Sequence, residues 1–478
     1  MKLIINKLSL GFLASLLIIA SGCQKLKTFG DTNLNPAATT TPITSALLTN
    51  VLSQLGNAGV TAGFAANDKA GIFTQYFSEA TYPSISQYAI PEVDFDPTYS
   101  GPLYDLQNII NISGSPSEVA IARIVKAYIY WRITDRFGDI PYFGALQGTV
   151  PAFDKQEAIY KDLVKELKEA VDQFGQGGAI KGDILYGNDP AKWKKLANSL
   201  RMLIALQTSK QASVSAWAIA EFNAGLTAGP ITDNADNWKV VFPGTTTAFS
   251  NPFWFANNQN RDYGVSVMFM NLLSTTGDTR VSALASSTIG VPYGWNETAG
   301  NPNNINVWRS ANPNWARTMG AAHRTTTSPI FLISSAQTWL ARAEAADRGW
   351  TGENMINAYN TGIDQSFAQW GLTTPGGYKT QTAVALTAPA GTNANIAKIA
   401  IQEFIASFPD GTMGWNIWRR TGFPVLTPSP YPVSLDHTQV PRRYIYGPRQ
   451  KSLNPGGVAQ ANASQGPDVQ ETRVWWDK

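Results

Sequence analysis

Residues 120–142 read AIARIVKAYIYWRITDRFGDIPY, and the rest of the chain is best read outward from them. Ile121, Ile124, Val125 and Tyr128 recur at helical spacing, and Ile129 and Ile133 widen the apolar stripe. A stripe that broad leaves no wet face, so the spacing predicts a mostly buried helix. Gly138 supplies the left-handed conformation that closes a helix, and Pro141 prevents a restart. Around that end stand Asp135, Arg136 and Asp139, three charges beside an apolar run. They read either as a capped helix end with a paired arginine or as a family signature.

The surrounding composition favours a helical protein with well-packed loops. The 478 residues are 44% hydrophobic and only 15% charged, with 40 Gly, 28 Pro and 15 Trp. Abundant aromatics and a small net charge argue against disorder. That length holds one large domain or two to three ordinary ones. The formal charge of +3 falls to +1 if a leader ending at Gly22 is removed, because Lys2 and Lys7 leave and no acid does. A nearly neutral chain lacks the concentrated basic surface that nucleic-acid binding needs.

The leader itself is legible. Lys2 and Lys7 precede an apolar run at 8–20, and Ala20, Ser21 and Gly22 lead into Cys23, the chain's one cysteine. This resembles a bacterial lipoprotein signal, in which Cys23 is acylated and becomes the new N-terminus. Several acyl chains, at about 0.8 kcal/mol per buried methylene, hold a protein on a membrane. A lone cysteine also excludes an internal disulfide framework and a thiolate metal cluster. Residues 24–41 are polar and Thr-rich, and read as a tether.

From 42 onward the pattern predicts paired helices in one unit. Thr41-Pro42 opens a helix with Ile43, Leu47, Leu48, Val51, Leu52 and Leu55 inward. A helix is expected at 69–79, an aromatic loop at 81–98 and another helix from Tyr104. Asp154 and Glu157 form a capping-box pattern ahead of a helix at 155–174. Asp189-Pro190 starts a helix to about Lys210, and 214–225 follows. The helices from 155 and from Asp189-Pro190 start about 35 residues apart, near the tetratricopeptide period of about 34. Ser328-Pro329 is expected to open a helix to Arg348, with further helices at 353–370 and 393–408. Residues 229–328 are different in kind, rich in Asn, Gly, Pro and Thr with no sustained helical period. A loop region this long inside a compact protein is usually functional. The stretch after Asp410 is expected to be mostly irregular.

Catalytic motifs are missing. His323 and His437 lie far apart, outside any metal-ligand spacing, and no nucleophile elbow, phosphate loop or dinucleotide fingerprint occurs. No cofactor is expected. Asp94 and Asp96 alternate in a loop and are weak candidates for a structural calcium ion. A glycosidase needs only two carboxylates, which sequence cannot pair up; Asp94, Asp96 and Glu297 are candidates, each more readily read as a solvated or capping acid. Aromatics in polar loops have another use. Sugar rings present apolar C–H faces that lie on Trp and Tyr rings while amides meet the hydroxyls. The candidate platform is Tyr82, Tyr88, Trp254, Trp295, Trp308 and Trp315, with Asn257 and Asn258 as polar contacts. For each ring the competing reading is core packing.

Several stretches together resemble the SusD/RagB family, and its SusD-like subgroup in particular. They are GDTNLNP (30–36), YWRITDRFGDIPYFGAL (130–146), KWKKLANSLRMLIALQTS (192–209), SSAQTWLARAEAADRGW (334–350), QEFIASFPDGTMGWNIWRRTGFP (402–424), PRRYIYGP (441–448) and TRVWWDK (472–478). Their order and coverage carry the match. The resemblance implies a mainly α fold of tetratricopeptide-like helix pairs with a large irregular part. It implies a surface lipoprotein of the outer membrane, the lid subunit of a SusC-like TonB-dependent transporter, binding oligosaccharides or peptides and performing no catalysis. Acids are missing directly after Cys23, where some surface-exported lipoproteins of this kind carry them. The matched motifs are structural, so the platform residues above rest on their own chemistry. The expected function is capture of oligosaccharides and delivery to the transporter. The alternatives are a peptide or other nutrient in the same complex, a surface glycosidase, and a purely structural lipoprotein whose candidate aromatics are all buried.

Overall fold

The computed structural model describes residues 42–56, 69–89, 92–148, 150–255, 262–387, 393, 395–433 and 439–478. The leader, the tether, Cys23, Asn257, Asn258 and His437 lie outside these. The principal helices are α1 (Thr44–Gln54), α2 (Lys69–Phe73), α3 (Tyr104–Ile112), α4 (Pro116–Phe137), α5 (Gln156–Gln173), α6 (Pro190–Gln207), α7 (Ser215–Thr227), α8 (Val267–Thr275), α9 (Ile305–Ala311), α10 (Ser335–Asp347), α11 (Met355–Ala368), α12 (Ile396–Ser407), α13 (Gly411–Thr421), α14 (Pro448–Leu453) and α15 (Pro455–Gln465). Short strands are β1 (Phe77–Glu79), β2 (Glu92–Val93), β3 (Trp238–Val240), β4 (Tyr263–Val265), β5 (Ile330–Ile333) and β6 (Ile445–Tyr446).

Helices pair in sequence: α4 with α5, α6 with α7, α10 with α11, and α12 with α13. α5 then packs on α6, α6 on α10 and α10 on α12, so the pairs stack in a row. This is the mainly α, tetratricopeptide-like array that the sequence implies. α4 is buried on nearly every side, as its broad stripe requires. Ser115 caps its start and Pro116 occupies the first turn. Gly138 closes it at φ +81°, where an added Cβ would lie 2.0 Å from Gln465 Oε1.

The charges at that end bind neighbouring elements. Asp135, buried, accepts hydrogen bonds from Tyr160 Oη on α5, Asn416 Nδ2 on α13 and Trp476 Nε1 near the C-terminus. Arg132 grips Asp410 with two bonds of 2.8 Å, and Asp410 caps α13. Asp139 Oδ1 accepts from the Gln156 backbone N–H at 2.9 Å, at the first turn of α5, and Oδ2 accepts from Ser464 Oγ.

Four expectations differ from what the chain does. The helix expected over 69–79 stops at Phe73, because Gln75 takes φ +57° and the chain turns into β1 to pair with β4. Ser328-Pro329 leads into β5, whose apolar run pairs with β3; α10 begins after it, on a capping box of Ser334 and Gln337. Asp154 caps no helix: its Oδ2 accepts from the backbone N–H groups of Tyr142 and Phe143, leaving the head of α5 to Asp139. The stretch after Asp410 holds three helices, since burial overrides the poor propensity of its glycines. Gly411 and Gly414 let α13 approach closely, with added Cβ atoms meeting Gly71 N at 2.3 Å and Tyr76 Oη at 2.5 Å.

Between α7 and α10 the loop-rich insertion expected at 229–328 leaves the array. Its base is clasped by β3 against β5, antiparallel, with Trp238 opposite Ile333 and Val240 opposite Ile330. It contains α8, α9 and β4, so it is less irregular than its composition suggests.

Asp139→Ala removes the tie between α4, α5 and α15. It is expected to lower stability by about 2 kcal/mol in urea unfolding while leaving ligand affinity unchanged. Normal unfolding with lost binding would instead place Asp139 in the binding site.

Candidate functional site

Three distant segments meet at the insertion. The first is the loop after β1, the second spans 291–309, and the third is 429–433. β1 and β4 run antiparallel, with Phe77, Ser78 and Glu79 opposite Val265, Gly264 and Tyr263. Ala80 and Thr81 both donate their N–H to the Asp262 carbonyl, at 2.7 and 3.0 Å, and extend that junction. Beneath it lies a small core of Ala80, Val291, Ile305 and Trp315, with Trp295 and Trp308 packed against it. Gly264 makes room for this core, since a Cβ there would lie 2.6 Å from the Trp315 ring.

α9 carries Trp308 and Arg309. Asn304 caps it, accepting from the N–H groups of Asn306 and Val307. Arg309 reaches back to the first segment, donating to the Ala80 carbonyl and Thr81 Oγ1 at 3.1 Å each and to Asn306 Oδ1 at 2.9 Å. Gln87 Nε2 donates to the Trp295 carbonyl at 2.9 Å. The third segment docks through Tyr431, whose hydroxyl accepts from Asn303 Nδ2 and donates to Asn301 Oδ1 at 3.2 Å each. Ser429 N–H donates to Tyr88 Oη at 3.0 Å, joining residues 341 apart in sequence.

The candidate rings therefore separate. Tyr82 is 57% exposed. Trp295 and Trp308 are half-buried beside the polar groups of Asn301, Asn303, Asn306 and Glu297. Tyr88 and Trp315 are corrected: at 2% and 3% exposed they are core, Tyr88 closing a tight turn at φ +67° and Trp315 flooring β4. Trp254 is half-buried on a separate turn, Pro252–Phe255, pinned by Asn251. Its neighbour Phe253 packs on Phe77, 6.2 Å between ring centres. Sequence reasoning missed Tyr431, Arg309 and Gln87. The Asn-rich run 301–306 beside Trp308 was the available signal for α9; Tyr431 had none beyond being an aromatic in a Pro-rich loop.

Asp94 Oδ1 accepts from the Arg449 N–H and Asp96 Oδ2 from Gln450 Nε2, so both are engaged at the head of α14. Among the described residues no group of three or more His, Cys, Asp or Glu is placed to hold a metal ion. Glu79 is the unusual acid. Its side chain is 2% exposed under the site, and Oε2 has no hydrogen-bond partner among the described residues. Burial, and then the nearby charge of Asp262, push its carboxyl up to about 8. The folded-state value lies above the unfolded one, so this group favours folding at low pH. That contribution is lost as pH rises from about 4.3 through about 8. Glu79→Gln is expected to flatten this slope and to be more stable than wild type by about 2 kcal/mol at pH 9, with little difference at pH 5. Urea unfolding across that range measures it; an unchanged slope would show that Glu79 is hydrated.

With this geometry in place, the likeness to known proteins can be weighed. A SusD-like family model, described as starch-binding associating with outer membrane, matches residues 35–447. A solved chitin-binding protein superposes with TM-score 0.77 at 25% identity, covering 91% of this chain and 100% of its own. A chitin-binding SusD homolog from Flavobacterium johnsoniae gives 0.79 at 24% identity, covering 91% and 98%. A SusD homolog from Bacteroides uniformis gives 0.75 at 23%, covering 90% and 99%. A search of curated proteins finds no match. The family model spans most of the chain and the helix-pair array superposes along nearly its whole length, so the chain belongs to the SusD-like family of outer-membrane-associated nutrient-binding proteins.

Proposed function

We propose that this chain captures oligosaccharides at the cell surface and delivers them to a SusC-like TonB-dependent transporter as its lid. The observation that carries the reading is the convergence of three chain segments on a cluster of part-open aromatics, Tyr82, Trp295, Trp308 and Tyr431, rimmed by asparagines. Ring faces take the C–H face of a sugar, and amides take its hydroxyls or acetamido groups. The chitin-binding relative at 25% identity makes chito-oligosaccharides the first ligands to test. The chain does no chemistry in this reading. Glu79 has the raised affinity for a proton that a general acid needs, but it lies beneath the surface. Energy for import comes from the transporter and its inner-membrane partners.

Cys23 supplies the membrane anchor. Among the described residues no helix is long and apolar enough to cross a membrane. Cys23→Ser is expected to move the protein from the membrane fraction to the soluble one, and retention at the membrane would remove the lipid-anchor reading.

Calorimetry with chitohexaose, maltoheptaose and mixed peptides tests the ligand class. Trp308→Ala and Trp295→Ala are each expected to weaken glycan binding about tenfold or more, with unfolding midpoints near wild type. Heat with peptides and none with glycans would favour the peptide-binding alternative. Release of shortened sugars would show a glycosidase.

A further inference from the structure

Arg309 is a cation without a counter-charge at the edge of the aromatic cluster. Other half-buried arginines each face a glutamate: Arg123 pairs with Glu166, Arg342 with Glu353 and Arg348 with Glu344. Arg309 is half-buried too, yet its bonds run only to neutral oxygens among the described residues. We propose, on the glycan-binding reading above, that Arg309 is a specificity-determining residue of that site and receives the acetamido carbonyl of an N-acetylated sugar.

Placement comes from the helix. Trp308 and Arg309 stand three and four positions after Ile305 on α9, so all three share one face. Ile305 enters the small core, Trp308 packs against that core, and Arg309 holds the carbonyl of Ala80, itself a core residue. Ring and guanidinium therefore lie against the same loop, which continues to the exposed Tyr82. A guanidinium has five N–H donors and no acceptor. Nη1 gives its two to the Ala80 carbonyl and Thr81 Oγ1, and Nη2 gives one to Asn306 Oδ1. The Nε–H and the second Nη2–H have no acceptor among the described residues, and Nε is not enclosed.

The surrounding charges disfavour an anion on those donors. Exposed Glu297 accepts from Asn306 Nδ2 at 3.1 Å, on the same amide that holds Arg309. Asp262 lies at the Ala80–Thr81 junction, where its carbonyl accepts both N–H groups, and its charge bears on Glu79. Two carboxylates around one guanidinium leave no positive excess for a third. A neutral acceptor remains. Amide carbonyls are strong acceptors, and the acetamido group is the one amide an uncharged sugar carries. Its oxygen accepts from two N–H groups, while its methyl suits the face of an adjacent ring. A hydroxyl in its place offers a weaker acceptor and no methyl.

Calorimetry of the mature chain with chitohexaose, cellohexaose and hexagalacturonate tests this. Cellohexaose keeps the linkage of chitohexaose and replaces each acetamido group by a hydroxyl. Wild type is expected to bind chitohexaose about tenfold or more tighter than cellohexaose, and Arg309→Lys and Arg309→Gln are each expected to reduce that ratio to about twofold. Should Arg309→Gln fail to fold, Arg309→Lys, which keeps the charge, carries the comparison. Thr81→Val removes one acceptor of the loop clamp and leaves the free N–H groups, so the ratio is expected to survive it. A merely structural arginine would weaken both sugars alike and leave the ratio intact in its variants, which would overturn the proposal. So would equal binding of the two sugars by wild type, tighter binding of hexagalacturonate than of chitohexaose, or loss of the ratio in Thr81→Val. Each of those results leaves the glycan reading standing. Heat with none of the glycans would instead end that reading and this proposal together.

Discussion

The array depends on the buried ion pair between Arg132 and Asp410. Two 2.8 Å bonds join side chains that are 1% and 2% exposed and 278 residues apart in sequence. Such a pair offsets its desolvation only through good geometry and full hydrogen bonding. Both conditions hold: the contact is bidentate, and Asp410 Oδ1 also caps α13. Removing one partner leaves a stranded charge, a loss on the order of 3–5 kcal/mol. The pair therefore fixes the first helix pair against the last. Asp135 repeats the pattern one turn on, joining α5, α13 and the C-terminal Trp476 through hydrogen bonds to a carboxylate that burial has pushed up to about 6. Other buried charges are tied in the same way. Arg280 with Asp278, and Arg420 with Glu344 and Glu403, are further buried examples.

The loops stand on this frame with a core of their own. The main core runs through the helices, whereas Ala80, Val291, Ile305 and Trp315 form a separate cluster beneath the aromatic surface. The β3–β5 clasp closes the insertion where it leaves the array. Clasping the base shortens the loop whose closure entropy must be met. The first and third segments are then held to the insertion by β1–β4 and by Tyr431.

What was legible in sequence was local. α4 followed from its apolar spacing and its glycine stop, and α6 from Asp189-Pro190 at its head, where Asp189 does accept from the Ala191 N–H. The failures share one cause, a distant partner overriding a local signal. Asp154 looked like a cap, but two backbone N–H groups after α4 claim it. Residues 74–79 looked helical, but the chain turns at 74–76 and β4 takes 77–79 as a strand. The stretch after Asp410 looked irregular, but α2 and the aromatic core hold it as a helix. Composition pointed to the stretch 229–328 as different in kind. It could not separate Trp315, buried in the small core, from Trp308, seven positions away and half-buried against it, because that depends on which ring β4 covers. Arg309 and Tyr431 became visible only once the three segments met.

The bonds that assemble the site run largely to backbone. Gln87 donates to the Trp295 carbonyl, Arg309 to the Ala80 carbonyl, and the Ser429 N–H to Tyr88. Backbone partners persist when neighbouring side chains change. Tyr82 is bound into none of these ties, and Trp308 joins them through its carbonyl, which accepts from Asn312, rather than through its ring. The Tyr82 ring can therefore be exchanged with little effect on the framework, whereas the Trp308 ring also packs against the small core. A fold built this way keeps its buried charge ties in the helix pairs and its part-exposed rings on backbone-tied loops.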